Sequence, residues 1–259
     1  MAIAIGNSVS GNNPGSVTSL ALPSVTTTTG QDVVVVVVLG SASSSVSSIS
    51  PSAGSYASWT LQSSKNGTGV RVEVWTAHVA TGAATVFTVN ITGGATSVSA
   101  AVADYSGVTS FGHTDTASGS TYELMDLGVA AQDGNNWVVT GFGFACQSGD
   151  TFTAQIGNQR QSSIPAATAV GGSLYDNTQQ AAATFGNATK LNTNRNWAAA
   201  SIELRSGATA ITVVDYGGAS VPALQANRDY RLQHVLEPLF AQQQTYPPSP
   251  GVNNYGFTG

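Results

Sequence analysis

Glu123 and Asp126 are the nearest thing in this sequence to a pair of carboxylates that could share acid–base work. Hydrolysis of a glycosidic bond needs two such groups facing each other across the sugar. The stretch Tyr122-Glu123-Leu124-Met125-Asp126 reads as a strand, and an i, i+3 spacing on a strand sends the two side chains to opposite faces. His78, His113 and His234 lie far apart, with no Cys or carboxylate cluster beside any of them, whereas a metal centre needs converging ligands. Asp104 and Asp115 flank a Ser/Gly-rich stretch whose oxygens could join them around a calcium ion. No further ligand spacing supports that site. Cys146 is the sole cysteine, which excludes an intrachain disulfide, and its apolar surroundings read as a buried small hydrophobe. A nucleophile elbow, a zinc-protease helix, a phosphate-binding loop and a CxxC pair are all missing from the sequence. The expectation is no catalytic residue, no metal and no cofactor.

Two tryptophans remain as recognition candidates. In 70–75, alternation puts Val70, Val72 and Val74 on one face and Arg71, Glu73 and Trp75 on the other. In 197–205, Trp197 shares the face of Glu203 and Arg205, away from Ile202 and Leu204. Rings on the more polar faces of strands would make a platform for glycans or a patch for a protein partner. The competing expectation is that loops fold over both rings and bury them.

The elements that would carry these residues are strands. β-branched and aromatic runs recur between Gly, Ser, Asn and Pro clusters at 16–22, 32–39, 57–63, 70–79, 85–91, 97–105, 122–129, 136–146, 151–156, 167–173, 180–185 and 197–204. That is more than one sheet holds, so the fold expected is all-β: a two-layer antiparallel β-sandwich of jelly-roll or lectin-like kind. The run 33–38 is valine throughout, without alternation, so its strand should be central and covered on both faces. The segments 64–69 and 92–95 read as hairpin turns between antiparallel neighbours, the first through Asn66-Gly67.

Charge narrows the function classes. The chain has 259 residues with 8 Lys+Arg against 13 Asp+Glu, a net charge of −5 and 8% charged residues. Nucleic-acid binding needs clustered cations on phosphate, so it is excluded as an expectation. The longest apolar run, 33–39, is seven residues, against the ~20 needed to span a bilayer, and the N-terminus lacks the pattern of a signal peptide. No membrane role is expected.

Composition shifts near residue 207, which divides the chain into a sandwich domain at 1–206 and a segment at 207–259 holding a strand, a helix and an extended assembly arm. Ser220 and Pro222 can start the helix. Leu232, Val235, Leu236, Leu239 and Phe240 form one apolar stripe, with Pro238 kinking or ending it. Tyr246, Pro247 and Pro248 then open a segment of polyproline character. Such a segment cannot build its own core and takes its order from the parent domain or from a neighbouring chain. The neighbour is the expectation.

The succession Trp59-Thr60-Leu61, Gly69 to Ala77, Ala101-Val102-Ala103-Asp104-Tyr105-Ser106-Gly107-Val108 and Trp197 to Arg205 resembles a group of β-sandwich proteins of tailed-bacteriophage virions and bacterial surfaces. The resemblance spans about residues 10 to 206. It rests on strand-packing patterns and brings no catalytic residues with it. It implies a virion structural protein, capsid-decorating or head-fibre in type, assembled in the host cytoplasm with copies of itself and other virion proteins as partners. A carbohydrate-binding module or adhesin using Trp75 and Trp197 is the alternative.

Overall fold

The computed structural model describes residues 2–121, 125–130, 135–178 and 184–207. Met1–Gly207 belong to one unit. The first half of the unit carries β1 (Ala4–Val17), β2 (Ser19–Ala21), β3 (Val25–Thr26), β4 (Asp32–Leu39), β5 (Ser45–Pro51), β6 (Ser55–Tyr56), β7 (Thr60–Gly67), β8 (Val70–Thr81), β9 (Ala84–Thr85), β10 (Phe87–Thr92) and β11 (Thr96–Ser106). The second half carries β12 (Val108–Gly119), β13 (Met125–Ala130), β14 (Trp137–Cys146), β15 (Phe152–Ile156), β16 (Asn158–Ser163), β17 (Ala169–Thr178), β18 (Thr184–Leu191) and β19 (Trp197–Ser206). Among the described residues there is no helix. The helix and arm expected after residue 207 lie outside the described residues.

Every pairing is antiparallel. Each half has a broad sheet, ordered β1-β11-β4-β8 with β7 on the far side of β8, and β12-β19-β14-β17-β16. Each also has a narrow sheet, β2-β10-β5 and β13-β18-β15. Sandwich packing is as expected, but two layers is too few. Valine alternation shows why. Val33, Val35, Val37 and Leu39 face the narrow sheet of their own half, where they meet Leu20, Phe87 and Val89. Val34, Val36 and Val38 face the other way, into a core shared with Val139, Leu174 and Ile202 of the second half. A third core holds Phe142, Phe144, Tyr175 and Leu191 between the second broad sheet and its narrow sheet. The sheets therefore stack narrow, broad, broad, narrow. At ~1.5–3 kcal/mol for each fully buried large aliphatic side chain, a strand buried on both faces is worth about twice a one-sided one.

All eight residues of β4 are buried, and β4 lies in the middle of its sheet, as its unbroken valine run requires. The hairpin expected at 64–69 is present with its turn placed later than Asn66-Gly67, whereas the one expected at 92–95 is not formed. Gly67 pairs with Val70, so the β7–β8 turn is Thr68-Gly69, with the positive φ of 70° at Gly69 and Asn66-Gly67 still in the ladder. The segment 92–95 joins no hairpin: β10 and β11 belong to different sheets, and Gly93 and Gly94, at φ 82° and 116°, carry the chain from one layer to the next.

Candidate functional site

A chain this poor in charge uses its ions sparingly, and the structure shows where they go. On β8, Glu73 is wholly buried; it accepts from Arg71 Nε at 2.6 Å, Trp75 Nε1 at 2.8 Å and the backbone N–H of Val46 at 3.3 Å. On β19, Glu203 is likewise buried and accepts from Asn136 Nδ2 at 2.7 Å, the backbone N–H of His113 at 3.1 Å and Arg205 Nε at 3.1 Å. On β17, Asp176 is fully buried, and Arg160 Nε lies 2.8 Å from both its oxygens. Tyr105 OH of the first half donates to the same carboxylate at 3.2 Å. Burial, reinforced by that negative charge, holds the Tyr105 phenol well above its ordinary range. Asp150 takes Arg195 on both oxygens, at 2.7 and 3.0 Å.

These are anchors. Each carboxylate accepts from an arginine and from further donors on its own strand, a neighbouring strand, a facing sheet or a loop, which satisfies the buried charge. The anchors at Asp176, Asp150 and Arg160 are absent from the sequence reading. The signal was there in principle: in a chain with 8% charged residues, an Arg in a polar stretch such as Asn158–Ser163 has a buried acid to reach.

The expected residues fall as follows. Trp197 is 7% exposed and packs in the core with Phe142, Phe144 and Leu191, its indole under Gly119. It offers no face to a sugar, so that half of the platform is withdrawn. The cause is β12, whose Gly119 pairs with Trp197 and covers it. Trp75 is half-buried against the first outer core, its N–H committed to Glu73. Its cross-strand partner Leu61 is 40% exposed. Asp104 and Asp115 stand on different sheets, and the Ser/Gly-rich stretch meant to supply loop oxygens is strand β12. Asp104 is buried and accepts from the backbone N–H of Asn7; burial raises its pKa above the ordinary 3.8, against the pull of that hydrogen bond. His78 lies 3.3 Å from Asp32 and His113 3.3 Å from Glu203. Cys146 is buried, and desolvation pushes its thiol up, away from nucleophilic use. Among the described residues no three of His, Cys, Asp and Glu converge as metal ligands would. Glu123 lies outside the described residues, as do Leu232, Val235, Leu236, Leu239, Phe240, Tyr246, Pro247 and Pro248.

No protein-family model matches the chain, and no match is found among curated proteins or solved structures.

Proposed function

We propose that the chain is a non-enzymatic structural subunit of a bacteriophage virion, capsid-decorating or head-fibre in type, packing against copies of itself and against other virion proteins. The observation that carries this reading is the destination of the charged groups. Glu73, Glu203, Asp176 and Asp150 are each paired with an arginine of the same chain, and no two of these acids share a site. For Glu73 and Glu203 the arginine lies two residues away on the same strand, whereas Asp176 takes Arg160 of the neighbouring strand and Asp150 takes Arg195 of another loop. A rigid body with few surface ions suits close packing against neighbours, because each charge buried at an interface would need a partner. In each half, the strand order of broad sheet and narrow sheet is that of a jelly roll with one strand moved to the edge of the broad sheet, an architecture well suited to shells.

Antibody labelling of intact particles in the electron microscope tests the reading. Regular labelling of the virion surface is expected, and the chain found only as free monomer in the lysate would overturn it. The half-exposed Trp75 beside Leu61 favours one other reading, a glycan-binding subunit. Glycan-array binding that Trp75→Ala abolishes would support that reading instead.

A further inference from the structure

We infer that the described chain is a tandem duplication of one sandwich unit, and that valine-for-glycine exchange has made the broad-sheet face of each copy a docking surface for its sister rather than for its like.

The equivalence begins with order. Taken in chain order, β1, β2, β4, β5, β7, β8, β10 and β11 occupy the same sheet positions as β12, β13, β14, β15, β16, β17, β18 and β19. Topology alone could converge; irregularities are harder to repeat. The β1–β11 ladder breaks between Ile5 and Ser8, opposite Tyr105 and Ala103, and the β12–β19 ladder breaks between Phe111 and Thr114, opposite Leu204 and Ile202. Each break is a glycine followed by a polar residue whose N–H donates to a buried acid: Gly6-Asn7 to Asp104, and Gly112-His113 to Glu203. A Cβ on either glycine would strike that same carboxylate. A second bulge recurs as well, between Leu61 and Ser63 opposite Trp75 and Val74, and between Gln159 and Gln161 opposite Tyr175 and Leu174. Bulges are retained features of a fold, so two at matching places mark common descent.

The copies face each other across an approximate two-fold axis running along β4 and β14. β1 lies against β16 and β12 against β7; β11 lies against β17 and β19 against β8. Each contact is the other with the halves exchanged. Register then fixes the residue pairs. Asp104 pairs with Val33 and Glu203 with Val138, which makes Val36 equivalent to Gly141 and Val38 to Gly143. Ladders to the next strand make Val72 equivalent to Gly172.

These equivalent residues touch. A Cβ on Gly141 would lie 2.5 Å from Val36 Cγ1, and one on Gly143 would lie 2.5 Å from Val38 Cγ1. A Cβ on Gly143 would also lie 2.8 Å from Val72, and one on Gly172 would lie 2.7 Å from Val38, which is one contact written twice by the axis. None of these three glycines has a positive φ, so close approach and not backbone conformation demands them. The first copy supplies knobs and the second supplies holes. Two first copies would drive valine into valine, and two second copies would leave voids, so each face rejects its like.

The test uses the full chain and exchanges a pair across the axis. Val36→Gly alone opens a void and Gly141→Val alone overpacks, so each lowers the melting temperature. In the Gly141→Val background, adding Val36→Gly is expected to raise the melting temperature, because residues related by the axis can trade places. A further drop on combination would overturn the proposal. Should Gly141→Val fail to fold, rescue of soluble folding by Val36→Gly gives the same answer, and Gly141→Ala with Val36→Ala repeats the cycle at smaller volume.

Discussion

At the scale of single residues, the structure turns on a few buried acids. Glu73 and Glu203 are surrounded by donors, whereas Asp104 relies on backbone amides and carries a raised pKa because burial opposes its ionised form. The sign follows. A carboxyl whose folded pKa exceeds its unfolded value binds its proton more tightly when folded, so its burial penalises the fold at neutral pH. That penalty is relieved as pH falls through the folded value towards 3.8. Asp104→Asn removes this titration. Its melting temperature relative to the parent protein is therefore expected to fall as pH drops from 7 towards 3.8; parallel pH profiles would show that Asp104 carries no such linkage. Trp197 shows what a residue-level reading misses. Strand parity assigned it to the polar face correctly, but that face is roofed by a second core in which Phe142 and Tyr175 also lie.

At the scale of elements, legibility followed hydrophobicity. β4 was readable because eight successive buried positions leave an unbroken apolar run. Val35 and Val36 face different cores, so Val35→Asp and Val36→Asp should each abolish soluble folding: an unpaired buried carboxylate costs several kcal/mol against a total of ~5–15. Expression of both variants, followed by thermal melting of any soluble fraction, checks this. If either melts like the parent, the core that residue faces is not continuous. By contrast, most of β1 and all of β5, β12 and β16 escaped the sequence reading. β1, β12 and β16 end their sheets, and their Ser, Thr, Asn and Gly content imitates a loop. A terminal strand has only one partner, so its ladder can form with little apolar area. The bulges at Gly6-Asn7 and Gly112-His113 also interrupt the edges against further pairing.

At the scale of the whole molecule, the three cores lie within residues 2–207. Deleting 220–259 should therefore leave the main melting transition in place while abolishing assembly, because the stripe from Leu232 to Phe240 needs an apolar partner. Calorimetry with light scattering separates the outcomes: unfolding of the truncated protein would assign the segment to the cores, and normal assembly would place the contact on the sandwiches. Local pattern settled the strand class, the double coverage of β4 and the opposed faces of β8, since period-two alternation is written into consecutive residues. It could not settle how many layers those faces build. That β4 and β8 bury their second faces on β14 and β19 depends on register between segments about a hundred residues apart, as does the role of Gly141, Gly143 and Gly172. In the sequence those glycines read as weak strand positions. Only the approach of Val36, Val38 and Val72 from the other half gives them a purpose, because a missing side chain has meaning only beside the one that fills its place.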